Sequence, residues 1–116
     1  MGPRVLIVDD HPSFRASARV LLEAEGFDVV GEAADGAAAL TEAGRLRPEV
    51  VLLDVQLPDM TGFDVCVRCG DLDETAVVLV SSRDAADYDG LLETSGARGF
   101  IPKADLTGQA VVDLVT

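Results

Sequence analysis

Five short apolar runs, separated by segments of helical periodicity, restrict the fold of this chain more than any other feature. The runs are residues 4–8, 27–33, 50–53, 76–80 and 99–101; three of them stop abruptly at a charged or hydroxyl side chain, and the last is closed by Pro102-Lys103. Residues 50–53 are apolar without a break, as expected of a strand covered on both faces rather than one. Between the first two runs, Phe14, Ala18, Leu21 and Leu22 recur at helical spacing, with Ser13 placed to cap that helix and Gly26 to stop it. Asp35 is placed to cap a second helix running to about Leu46, with Pro48 as its terminator. A loop over residues 55–61, holding Pro58 and Asp59, leads to a short third helix over residues 62–69, and the stretch 70–75 after it is brief. A fourth helix is expected over residues 84–95, stopped by Gly96, and a fifth from near Asp105 to the end.

This alternation predicts an α/β fold, a five-stranded parallel sheet with helices on both faces. Right-handed crossovers and short loops favour the doubly wound, flavodoxin-like (βα)5 arrangement with strand order 2-1-3-4-5. At 116 residues there is room for one such domain, and neither a linker nor a repeat interrupts it.

In open sheets of this kind ligands bind beyond the carboxyl ends of the strands. Asp9 and Asp10 follow the first strand, Asp54 the third, Ser81 the fourth and Lys103 the fifth. Singly, each reads as a helix cap, a turn hydroxyl or a solvated surface charge; jointly they put three carboxylates, a hydroxyl and an ammonium on one edge. Clustered carboxylates repel, and recruit a cation or a proton. An all-oxygen set suits a hard ion such as Mg²⁺, which keeps waters and a substrate phosphate among its ligands. Lysine and serine suit phosphate oxygens, and aspartate can accept a phosphoryl group as an acyl phosphate. The parts match phosphoryl transfer, in which catalysis is mostly positioning and charge neutralisation.

Charge narrows the partners. The net charge is −12, and Lys103 is the only lysine beside eight arginines, which argues against nucleic-acid binding by this domain. No apolar run approaches the roughly 20 residues of a membrane span, and the N-terminus has no signal-peptide pattern, so a cytoplasmic protein is expected. Cys66 and Cys69 form a C-x-x-C, but within a helix rather than at a strand-to-helix junction, and His11 is the only histidine. Two reduced structural thiols are expected rather than a redox pair or a zinc site. His11 before Pro12 reads as a turn residue.

With these residues in view, the chain closely resembles the response-regulator receiver domains of two-component systems over essentially its whole length. The resemblance is carried by Asp9-Asp10, by Asp54 within the stretch from Leu52 to Gly62, by Ser81, and by Phe100 just before Pro102-Lys103. The stretch Asp9-Asp10-His11-Pro12-Ser13-Phe14-Arg15 is similar to the NarL/LuxR-like subgroup, whose members often carry a helix-turn-helix output domain. The resemblance implies a phosphorylation-dependent switch rather than an enzyme acting on a separate substrate. Asp54 would take the phosphoryl group from a sensor histidine kinase or from a small donor such as acetyl phosphate. Asp10, Asp54 and the backbone carbonyl of Gln56 would hold Mg²⁺, with Asp9 acting through a metal-bound water. Lys103 would pair with the phosphoryl group, Ser81 would move to bond it, and Phe100 would swing inward. A homodimer formed on phosphorylation is a further implied partnership.

Ser81 and Phe100 stand where threonine and tyrosine are commoner, and Ala104 where many receivers have proline. Gln56 and Arg83 occupy positions that, by resemblance, tune phosphoryl lifetime. Two other readings stay open: a receiver fold that works unphosphorylated as an interaction module, and a small Mg²⁺-dependent phosphatase of the haloacid-dehalogenase type. The second wants an aspartate two positions after its nucleophile, where this chain has Gln56. No output domain is expected within residues 1–116, and a stand-alone receiver and a piece of a longer regulator are equally compatible with that.

Overall fold

The structure, a computed structural model, describes residues 2–69, 75–83, 85–88 and 90–115. Five parallel strands form one sheet: β1 (Arg4–Val8), β2 (Asp28–Ala33), β3 (Val50–Asp54), β4 (Ala76–Ser81) and β5 (Gly99–Pro102). Their order is β2-β1-β3-β4-β5, as the alternating pattern predicts. The three inner strands are almost wholly buried, which explains their unbroken apolar runs.

Strand side chains divide by alternation between two cores. Val5, Ile7, Val50, Leu52, Val78 and Val80 pack with Ala18 and Leu22 of α1 (Pro12–Ala24) and Val111 of α5 (Gly108–Val115). Leu6, Val8, Val51, Leu53, Val77 and Leu79 pack with Ala39 and Ala43 of α2 (Gly36–Leu46) and with Val65, Cys66 and Cys69 of α3 (Gly62–Cys69). Both cysteines are therefore free thiols in a core, and burial pushes both thiols above their ordinary pKa. That agrees with the structural reading of the C-x-x-C.

Asp35 caps α2 as expected, its Oδ1 accepting from the Ala38 amide at 2.7 Å. Three helix boundaries differ from the sequence reading. Helix α1 begins at Pro12 with His11 at the cap position and no side-chain cap bond, so Ser13 lies inside the first turn. Proline at N1 is already set for helix and has no amide to satisfy, which removes the need for a serine cap. The last helix begins at Gly108 rather than near Asp105, because Lys103–Asp105 form a 3₁₀ turn and the Thr107 hydroxyl accepts from the Ala110 amide.

The largest difference is the fourth helix. In place of a single helix over 84–95 there is a 3₁₀ turn, Ala85–Tyr88, and a four-residue α4, Leu91–Thr94. Gly90, at φ +77°, lies in the left-handed region and separates them. Asp84, where that helix was expected to start, and residues 70–74 lie outside the described residues. No helix among the described residues is long and apolar enough to cross a membrane.

Candidate functional site

The carboxyl ends of β1 and β3 lie side by side, Val8 paired with Leu53, so the side chains that follow them converge. Oxygens of Asp9, Asp10 and Asp54 and a ring nitrogen of His11 all lie within 4.8 Å of one another. Asp9 is fully buried and Asp54 is 4% exposed, whereas Asp10 is open to solvent. Asp9 is fixed from several sides. Its amide donates to the Ala33 carbonyl, its carbonyl accepts from Arg15 Nη1 at 2.6 Å, and its Oδ1 accepts from the His11 amide at 2.8 Å.

Lys103 reaches this cluster from the 3₁₀ turn after β5. Its Nζ is 2.6 Å from Asp9 Oδ2 and 3.4 Å from Asp54 Oδ2, and lies 4.5 Å from the centre of the Phe14 ring. The ammonium is thus clamped between two buried carboxylates and an aromatic face. Asp9 Oδ2 is buried without a well-directed hydrogen bond, so its contact with Lys103 is an ion pair and not a shaped bond. Burial raises the Asp54 carboxyl above its ordinary pKa; the charge of Asp9 adds to that, and Lys103 opposes it. Three carboxyl groups face one ammonium, and that negative excess is what a divalent cation neutralises.

The β3–α3 loop supplies the floor. Gln56 pairs with Thr61 across an isolated bridge, and its amide lies 3.3 Å from Asp54 Oδ1. The Gly62 amide donates to the Val55 carbonyl at 2.6 Å, and a Cβ on Gly62 would come within 2.4 Å of the Asp54 carbonyl oxygen. Glycine is therefore required where the loop closes under Asp54. Asp59 fastens the loop from the outside, its carboxylate accepting from the Gly36 and Ala37 amides at 2.8 and 2.9 Å. These bonds at the N-terminus of α2 hold the Asp59 carboxyl below the usual carboxylate range. Above the loop opens a cleft of about 190 Å³ lined by Asp10, His11, Asp54, Gln56, Ser82 and Lys103. Larger concavities, near 600 Å³ around Arg4 and Phe27 and 560 Å³ along α1, lie away from these carboxylates.

Asp9, Asp10, Asp54, Gln56 and Lys103 are thus brought together. Ser81 is not among the residues that line the cleft: it is buried, its Oγ lying 2.7 Å from the Tyr88 hydroxyl and accepting from the Arg83 amide. Phe100 is half-buried and its ring meets that of Tyr88. Three residues in these contacts escape sequence reasoning. His11 is more than a turn residue, since its Nδ1 is 2.9 Å from Asp9 Oδ1 and 3.1 Å from Asp10 Oδ1. Asp59 and Tyr88 gain their roles from partners that no local pattern announces, although Pro58-Asp59 does mark a turn.

Residues 5–112 match the family model of the response regulator receiver domain. Among curated relatives, the DNA-binding response regulator MtrA of Mycolicibacterium smegmatis is 43% identical over 106 residues, covering 89% of this chain and 45% of that protein. A protein-glutamate methylesterase/protein-glutamine glutaminase of Alkalilimnicola ehrlichii is 40% identical over 116 residues, covering 93% of this chain and 29% of that one. The chain thus spans half or less of the length of these relatives. Among solved structures, the signal receiver domain of a response regulator ascribed to NarL in Mycobacterium tuberculosis superposes with a TM-score of 0.89 at 38% identity, covering 98% of this chain and 96% of that one. The chain belongs to the response regulator receiver domain family. Receiver domains of this family bind Mg²⁺ at an acidic pocket, and in this chain Asp9, Asp10 and Asp54 form an acid-rich cluster.

Proposed function

We propose that residues 1–116 form one switching unit in which Asp54 accepts a phosphoryl group from a sensor histidine kinase in the cytoplasm. The observation that carries this reading is the clamp: Asp54 is almost fully buried beside Asp9, with the Lys103 ammonium bridging both. A buried carboxylate is kept reactive there by a cation that can also face an incoming phosphate.

In the transfer, an Asp54 carboxylate oxygen bonds to phosphorus while the bond from phosphorus to the donor imidazole nitrogen breaks. The electron pair leaves with the imidazole, which then takes up a proton. The catalytic demand is positioning and neutralisation of the equatorial oxygens. Lys103, 3.4 Å from the acceptor oxygen, is positioned to pair with one of them. Asp10, Asp54 and the Gln56 carbonyl would hold Mg²⁺, with Asp9 acting through a metal-bound water. When bound, the ion would supply further positive charge to the phosphoryl oxygens. The donor set is all oxygen apart from His11, and its negative excess fits that ion. Arg15, the His11 amide and Asp59 keep Asp9 and the loop in place, and the charge gained on phosphorylation is the signal.

Intact-protein mass after incubation with acetyl phosphate and Mg²⁺ tests the proposal. One added phosphoryl group is expected, absent from Asp54→Ala and absent with chelator. An unmodified chain under both acetyl phosphate and a phosphorylated kinase would favour an interaction module that works unphosphorylated.

A further inference from the structure

The one tyrosine of the chain, Tyr88, lies in the 3₁₀ turn after β4, and its ring is wedged between two others. The Phe63 ring meets it edge-on at 5.6 Å and the Phe100 ring at 6.0 Å. Tyr88 is 8% exposed and Ser81 only 2%, and their hydroxyl oxygens are 2.7 Å apart. A serine hydroxyl has one proton and two lone pairs. At Ser81 one lone pair is taken by the Arg83 amide, 3.0 Å away, and the bond to Tyr88 completes a buried arrangement in which neither partner belongs to the acidic cluster. Asp54 is paired in register with Val80, so Ser81 stands one residue past the acceptor on the neighbouring strand.

We propose that Tyr88 is a positioning residue that latches the Ser81 hydroxyl in the unphosphorylated state. The inference rests on reading Asp54 as the phosphoacceptor. A phosphoryl group on Asp54 recruits the serine hydroxyl, and the buried phenol is left without its partner. An unpartnered buried hydroxyl is unfavourable, so Tyr88 must move towards water or a new acceptor. The ring contacts oppose that movement, but the backbone does so little: its segment is a single 3₁₀ turn, separated by Gly90 from a four-residue helix. Phe100 has no hydroxyl and cannot sense Ser81 by hydrogen bonding. Its ring leans on Tyr88 and follows where the tyrosine leads.

The chain has no tryptophan, so its tyrosine emission is that of Tyr88. The test is a beryllofluoride titration in Mg²⁺, with site occupancy read by fluorine NMR and tyrosine emission recorded in parallel. In the unaltered chain the emission is expected to change in step with occupancy. Tyr88→Phe keeps the ring packing and removes only the latch, so it is expected to bind beryllofluoride roughly two- to tenfold more tightly, the worth of one hydrogen bond lost from the free state. In a Ser81→Ala background the same substitution is expected to leave affinity unchanged, an outcome that ring packing alone does not give. Flat emission at full occupancy, or a Tyr88→Phe affinity equal to or weaker than that of the unaltered chain, overturns the latch while Asp54 stands as acceptor. No fluorine signal at the site in any variant overturns the acceptor reading, and the latch with it. If Tyr88→Phe fails to fold, the emission titration of the unaltered chain decides alone.

Discussion

On the β1–β3 side of the sheet's carboxyl edge, the buried groups are held by several partners: Asp9 by Ala33, Arg15, His11 and Lys103, and the loop below Asp54 by Asp59 and the close approach of Gly62. On the β4–β5 side, Ser81 answers to one tyrosine and one amide, and the chain beyond it is a 3₁₀ turn, a left-handed glycine and one turn of helix. The first region concentrates charge in buried, over-determined geometry; the second has few bonds to break. Phosphoryl chemistry needs fixed oxygens, whereas signalling needs a segment whose two arrangements lie close in free energy. On the proposed reading, the difference separates a site that reacts from one that reports.

The most forceful way to break this comparison is to remove the clamp. Lys103→Ala leaves fully buried Asp9 facing Asp54 without its cation, and the metal-free protein is expected to lose about 3 kcal/mol. Mg²⁺ is expected to recover much of that loss, so the thermal shift on adding Mg²⁺ should be larger in the variant than in the parent chain. Equal shifts would mean that lysine and metal do not share the same carboxylates.

Gly62→Ala strikes the same side through the backbone. Its Cβ would sit 2.4 Å from the Asp54 carbonyl oxygen and 2.9 Å from Val55 Cα, and a loss of about 2 kcal/mol is expected in denaturant titration. Gly90→Ala tests the other side, where φ is +77° but nothing lies close to an added Cβ. The cost there is the left-handed strain alone, about 1 kcal/mol. Should Gly90→Ala prove the worse of the two, the segment after β4 would be no softer than the loop under Asp54.

The smallest effect sharpens the charge argument and has the opposite sign. Folding raises the Asp54 carboxyl above its unfolded pKa through burial and Asp9, against the pull of Lys103. A carboxyl shifted upward favours folding in its protonated form. It therefore costs stability that is absent below the unfolded value, grows between the two values and is fully present above the folded one. Asp54→Asn in metal-free buffer is thus expected to raise the melting temperature at pH 7. The gain should vanish as the pH falls below the ordinary aspartate range. A constant gain at all pH values would point to packing and not charge.

The rigid side was also the legible one. Apolar runs that stop at Asp9, Asp54 and Lys103 mark strand ends, and in an open parallel sheet strand ends share an edge. Asp35 announced its helix because capping is a local bond. The fourth helix misled because its residues carry helical spacing, yet Gly90 turns left-handed and Tyr88 reaches back to Ser81. The start of the last helix moved to Gly108 because a 3₁₀ turn brings Lys103 to the carboxylates and Thr107 takes the cap. Asp59 on the α2 amides and His11 on two carboxylates are contacts between elements or across a turn, where periodicity carries no signal.

The central claim is that, of three clustered carboxyl groups, Asp54 alone takes the phosphoryl group. Treating the phosphorylated chain with borohydride reduces an acyl phosphate to the alcohol, turning that aspartate into homoserine, and peptide mass spectrometry then locates it. The account predicts homoserine at position 54 and unmodified Asp9 and Asp10; reduction at either of those, or at none, would contradict it.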